Sequence, residues 1–335
     1  MLVNARVNTG PGDSSADALP HDRWRPVEIA FWLSPVAAFF LLPGYLVLGS
    51  QIIITALFAV SLDLLLGYAG IVSLGHAAFF GVGAYTAGLL AVHGWGEPMT
   101  GLIVSGALAA ALGFSVSLLV VRGQDLTRLM VTLGIGLILQ ELANRATGLT
   151  GGVDGLDGIK MRKLWGAFEF GMDGKAAYFY SLGVLFLVFV LLRRLVNSPF
   201  GLALRGLREG AGRLPAIGIS VRGMQVTVFT LAAGIAGVAG ALLAQTTQFV
   251  GIELLGFSRS AELLIMVVLG GAGRLYGAIL GALVYMVAQD VLSGVDHVYW
   301  QFWVGLLLVV LVLSARGGIL GGIAALKALV LKRPP

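Results

Sequence analysis

NSPFGLALRGLREGAGRLPAIGISVRGMQ, residues 197–225, is the longest basic and polar interruption in a chain that is otherwise strongly apolar. At helical spacing Leu204, Leu207, Ala211, Leu214 and Ile217 fall on one stripe, and Arg205, Arg208, Glu209 and Arg213 fall on other faces. A helix buried in hydrocarbon could not carry that many guanidinium groups. The segment therefore reads as an amphipathic helix lying outside a bilayer, and the apolar stretches on either side of it read as membrane spans.

Composition agrees. Of the 335 residues 58% are hydrophobic and 12% charged, against roughly 25% charged in soluble domains. Several apolar runs reach the ~20 residues needed to cross the hydrocarbon core. The short alternating segments of a β-barrel are absent. The expected fold is an all-α polytopic membrane protein of about ten transmembrane helices, some short or broken. The spans are expected near 29–43, 46–66, 70–92, 100–121, 126–146, 177–195, 223–246, 260–273, 275–292 and 298–314. Residues 1–26 are too polar to fold alone and read as a disordered cytoplasmic tail. Residues 27–316 form the membrane domain, and 317–335 a cytoplasmic C-terminal tail.

Ten spans put both termini on one side. Sixteen of the 22 Lys and Arg then fall on that side and six on the other, which makes it the cytoplasmic side and places residues 204–217 there. With no cysteine, neither a disulfide nor a thiolate metal site can form. The net charge of +5 is spread between the spans and forms no nucleic-acid-binding face.

Glycines break the pattern in two places. GYAGIVSLGHAAFFGVGAY, residues 67–85, holds five glycines and a histidine inside an apolar run; such an interruption survives at membrane depth only where protein or a cavity covers the freed backbone groups. LGGAGRLY, residues 269–276, loosely echoes it. Gly273, Gly277 and Gly281 form one small-residue ladder and Ala233, Gly237 and Ala241 another, both read as helix-packing faces. The one long loop on the external side, 147–176, contains TGGVDGLDG. Its Asp and Gly suit tight turns, and the spacing of Asp154 and Asp157 does not fit an EF-hand.

No phosphate-binding GxxxxGK[ST], no HExxH and no GxSxG occurs, so no catalytic site, no metal site and no cofactor is expected on this chain. The ionisable residues within or beside spans are Asp63, His76, Glu141, Glu262 and Asp290. Asp63, Glu141 and Asp290 lie near span ends, where burial costs little. His76 and Glu262 remain as path candidates; their bland readings are a histidine satisfied by broken backbone and a first-turn helix acid.

Several motifs carry a resemblance. SLDLLLGYAG from Ser61, continuing through SLGHAAFFGVGAYTAGLL, is similar to the signature of LivM-type permease subunits of branched-chain amino-acid ABC importers. LTGGVDGL at 149–156, SPFGLALRGLREG with AIGI, AELLIMVVLGGAGRLYGAILGA at 261–282 and ARGGILG follow in the family's order, from about residue 46 to 322. The resemblance implies a type II importer-like permease in a bacterial inner membrane, with both termini cytoplasmic. It would pair with a second, different permease subunit, two cytoplasmic ATPases that use ATP and Mg, and a periplasmic solute-binding protein. The segment at about 203–218 becomes the coupling helix, with Leu204, Arg205, Leu207, Arg208, Glu209, Leu214 and Gly218 at the ATPase. Its apolar stripe is expected to insert into the ATPase groove. His76, Phe79, Tyr85 and Glu262 are the expected path residues; Gly151, Gly152, Asp154 and Gly155 the external docking loop. Gly210, Arg213 and Pro215 depart from the family pattern, and Pro215 should shorten the helix.

Branched-chain or other hydrophobic amino acids are the first solute class. Urea, short amides and aromatic carboxylates are the same-family alternatives, and an ion-coupled secondary transporter the alternative from another class.

Overall fold

The computed structural model describes residues 26–123, 125–162, 174–296, 299–300 and 302–306. The expected tails, 1–25 and 317–335, lie outside the described residues. So do 163–173 of the external loop and most of the expected last span.

Among the described residues the helices run in order α1 Pro26–Leu41, α2 Leu46–Asp63, α3 His76–Val92, α4 Pro98–Val120, α5 Asp125–Arg145, the single turn α6 Thr147–Thr150, α7 Lys175–Val196, α8 Pro199–Gly210, α9 Val221–Thr247, α10 Phe257–Gly270 and α11 Leu275–Val295, with 302–306 helical as well. Among the described residues there is no β-strand, only an isolated antiparallel bridge between Leu156 and Val250. Among the described residues six stretches are long and apolar enough to cross a membrane: Pro43–Tyr68, Pro98–Val120, Leu126–Arg145, Lys175–Val196, Val221–Thr247 and Leu275–Val295. Helices α1 and α3 are apolar but shorter, at 16 and 17 residues, and α10 has 14. At 1.5 Å per residue α10 spans only ~21 Å.

Helix α9 is the axis of the bundle, 27 residues and so ~40 Å long. Small residues let α3 and α4 close on its two sides. A Cβ at Gly83 would fall on the Gly237 backbone, and one at Gly240 on the Phe80 carbonyl. On the other side Gly237 meets Ala109, and Gly113 meets Ala233. The ladder Ala233, Gly237, Ala241 is thus a packing face, as its spacing implies. The same contacts orient the chain. Gly113, late in α4, lies beside Ala233 midway along α9, while Gln245 near the end of α9 donates to the carbonyl of Pro98 at the start of α4 (2.9 Å), so the two helices run antiparallel. One end of the bundle therefore carries the start of α9 with α8; the other carries the end of α9 with residues 147–162.

The expected span 70–92 starts late. After α2 the backbone widens into a π turn, Leu64–Tyr68, and residues 70–75 are not helical. The glycines permit the break: Gly70 has φ +71°, and a Cβ at Gly75 would fall on the Thr132 carbonyl. Helix α3 has no capping side chain of its own. Neighbours supply one: Leu74 N–H donates to Thr132 Oγ1 of α5 (3.2 Å), and Ala77 N–H to Ser260 Oγ of α10 (3.0 Å). Protein covers the broken backbone, as the membrane demands.

Helices α10 and α11 form a tight hairpin. Cβ atoms at Gly277 and Gly281 would strike the backbone of Gly270 and of Met266. Gly273 does not share that face. It sits in the turn with φ +86° and packs against the Gly67 backbone. The two glycine-rich interruptions, far apart in sequence, meet in space.

Candidate coupling site

The amphipathic segment divides in two. Helix α8 opens on Pro199, a position where the missing N–H costs nothing, and ends at Gly210. Residues Ala211–Ile217 continue as a tighter 3-10 turn that holds Pro215, which has no N–H to give an α-helix. Gly218, at φ +79°, closes the turn, and Ile219 N–H reaches back to the Leu214 carbonyl (3.1 Å). The expected helix at about 203–218 is therefore an α-helix that starts earlier and stops at Gly210.

Its apolar stripe faces inward. Leu204, Leu207 and Leu214 are 0%, 5% and 5% exposed and belong to the bundle's own core. The stripe is not free to fill a groove on another protein. Only two residues, Asn197 and Ser198, separate α8 from α7, so the helix lies directly on the bundle and buries its apolar face there. Ile217, expected on the same stripe, is 70% exposed. The face left free carries Leu202, Arg205, Glu209, Arg213 and Ile217.

Helix α8 grips the place where the breaks meet. Arg208 Nη1 donates to the carbonyl of Gly67. Arg205 stands 5.9 Å from the centre of the Tyr68 ring, within cation–π range. Asp63, one turn before Gly67 and 0% exposed, accepts the N–H of Gly273 on Oδ1 (2.7 Å). Its Oδ2 is buried without a hydrogen-bond partner. The residue that sequence reasoning set aside as cheap, because it lies near a span end, is the most buried carboxylate described. A single acid with no basic neighbour in SLDLLLGY was the available signal.

The four expected path residues do not share one surface. His76 is 1% exposed; its Nε2 lies 2.9 Å from Ser61 Oγ, and its ring stacks on Phe58 at 5.8 Å. The Nδ1 atom has no partner. Broken backbone, the bland expectation, is not what satisfies this ring. Phe79 is equally buried and meets the His76 and Phe229 rings edge-on. Tyr85 is 6% exposed with its hydroxyl unpartnered. Glu262 alone keeps partial exposure. It is in the second turn of α10, not the first, and pairs with Arg259 at 3.0 Å. Of the span-end acids, Glu141 pairs with Arg145 on the surface of α5 (2.6 Å).

At the opposite end Gly151, Gly152 and Gly155 adopt φ values of +75°, +61° and +80°, which explains three glycines there. Leu156 and Val250 exchange backbone hydrogen bonds (2.9 and 3.3 Å). Leu156 and Ile159 press on Gly88 of α3. Asp154 and Asp157 point outward. Among the described residues no group of His, Asp or Glu could hold a metal ion.

Residues 45–315 match the family described as "Branched-chain amino acid transport system / permease component". The chain belongs to this permease family. Among relatives, it is 31% identical over 299 residues to the high-affinity branched-chain amino acid transport system permease protein LivM of Escherichia coli K12, covering 83% of this chain and 70% of that protein. It is 24% identical over 289 residues to LivH of the same organism, covering 79% and 91%. It is 32% identical over 115 residues to a probable LivM of Methanocaldococcus jannaschii, 33% of each chain. No solved structure matches.

Proposed function

We propose that the chain is the membrane-spanning permease subunit of an ATP-driven importer in a bacterial inner membrane. It takes up branched-chain or other hydrophobic amino acids delivered by an external binding protein. Its partners are a second, different permease subunit and two cytoplasmic ATPases, which bind the ATP and Mg. In this reading the chain has ten spans and cytoplasmic termini, α8 lies in the cytoplasm, and Gly151, Gly152, Asp154 and Gly155 face the binding protein.

One observation carries the reading: α8 is sealed to the bundle by Leu204, Leu207 and Leu214 while a charged face with Leu202 and Ile217 stays open. The sealed face makes α8 move with the bundle, and the open face gives a partner something to push. A helix seated in an ATPase groove by that outer face passes its displacement to the glycine breaks. Solute would pass beside the Arg259–Glu262 pair, since His76 and Phe79 are closed off within this chain.

The test is purification of the chain from its native membrane with whatever binds it, followed by vesicle reconstitution. Two P-loop ATPases should copurify, and labelled leucine uptake should require ATP and the binding protein. Urea, acetamide and benzoate should not compete. Uptake that follows an ion gradient without ATP would overturn the reading.

A further inference from the structure

We propose that Arg208 is a positioning residue with two alternative acceptors, the Gly67 carbonyl that it holds here and the free carboxylate oxygen of Asp63. Exchange between them transmits movement of α8 to the α10–α11 turn. The inference rests on the importer reading, and it deepens it by naming the side chains that do the coupling.

The geometry brings both groups to one residue. Asp63 Oδ1 holds the Gly273 N–H at 2.7 Å. A Cβ built on Gly273 would stand 2.7 Å from Arg208 Nη1 and 2.9 Å from the Gly67 carbonyl oxygen. A Cβ on Gly67 would fall on both Asp63 Oδ1 and the Gly273 N–H. Arg208 and Asp63 thus flank the contact between the two breaks, yet the arginine bonds the carbonyl and not the carboxylate.

That leaves a mismatch. Buried carboxylate oxygens are almost always hydrogen-bonded, and burying one bare is costly. A guanidinium has five N–H donors in a planar fork and is a natural partner for a carboxylate. Here Arg208 lies beside Gly273 but its Nη1 is bonded to the Gly67 carbonyl, and no hydrogen bond to Asp63 is formed. Two arrangements can be drawn for these groups. In one, Gly67 C=O is satisfied and Asp63 Oδ2 is bare; in the other, Arg208 pairs with Asp63 and releases Gly67. In the second, the carboxylate turns toward the guanidinium and its hold on Gly273 N–H weakens. The turn that joins α10 to α11 then shifts when α8 does. Gly67, Gly70 and Gly273 leave room for the guanidinium: a Cβ on Gly70 would lie 3.3 Å from Arg208 Cγ.

The experiment is hydrogen exchange of peptides spanning residues 264–276 in the purified complex with its ATPases, without nucleotide and with ATP bound. The variants are Arg208→Ala, Arg208→Lys and Asp63→Asn. Asparagine keeps an oxygen for Gly273 N–H but removes the charge that the guanidinium would seek, so a purely structural role for Asp63 predicts no change. In the unmodified complex ATP should speed exchange at 270–274. The response should fall by about fivefold or more, the lower bound of ordinary coupling between sites, in Arg208→Ala and Asp63→Asn, and survive in part in Arg208→Lys. An equal response in all four complexes, or none in the unmodified one, overturns the proposal. Absence of ATPases from the purified complex would instead overturn the importer reading on which it rests.

Discussion

The two ends of the bundle are built from the same residues, glycine and a few charges, and built differently. Glycines at positive φ occur at both ends, Gly151, Gly152, Gly155 and Gly158 at one and Gly70 and Gly273 at the other. At the loop end Leu156 and Val250 bond each other main chain to main chain beside the glycines. At the α8 end they are held by side chains, with Arg208 on Gly67 and Asp63 on Gly273. Backbone pairing sets one geometry. A side chain reaching a carbonyl or an N–H can leave it for another partner. The difference leaves exchangeable side-chain contacts at the α8 end and a main-chain pairing at the loop end.

The comparison can be broken most severely at Gly67. Gly67→Val places atoms on Asp63 and Gly273, and should cost more than about 4 kcal/mol, the range of exceptional single substitutions. The purified variant should lose its sharp elution peak in detergent. Next is Leu207→Asp, which leaves an uncompensated charge in the core and should cost about 3–5 kcal/mol in thermal unfolding. Its partner test is Ile217→Asp on the open face, which should change stability by no more than about 0.5 kcal/mol yet reduce ATPase copurification. If Leu207→Asp folds normally, the inward stripe is wrong.

At the loop end the expected effects shrink. Gly155→Ala puts a Cβ 2.7 Å from the Phe249 ring at φ +80°, and should cost about 1–3 kcal/mol with ATPase copurification untouched. Asp154→Asn should stay within about 0.5 kcal/mol and lower only the uptake that depends on the binding protein. A drop in ATPase copurification from either would erase the contrast between the ends.

Much of this was legible beforehand. The amphipathic segment, the broken run at 67–85 and the small-residue ladder of α9 follow from period and glycine content. Three things were not. The stripe Leu204, Leu207, Leu214 announces burial, but a helical wheel cannot say whether the cover is another chain or the same one. Gly273 fits a GxxxG spacing by count, yet its positive φ takes it off that face, and φ is invisible in the sequence. Asp63 looked inexpensive because distance from a span end was read as exposure. The π turn and the return of the chain bury it instead.

The opening turn of α3 has one further consequence. The amides of Leu74, just before it, and Ala77, within it, rest on hydroxyls of Thr132 of α5 and Ser260 of α10, so three separate helices are joined at a single point. None can slide along its own axis without leaving an amide stranded in an apolar interior. A movement of any one of α3, α5 and α10 along its axis must therefore break or carry along these hydroxyl contacts.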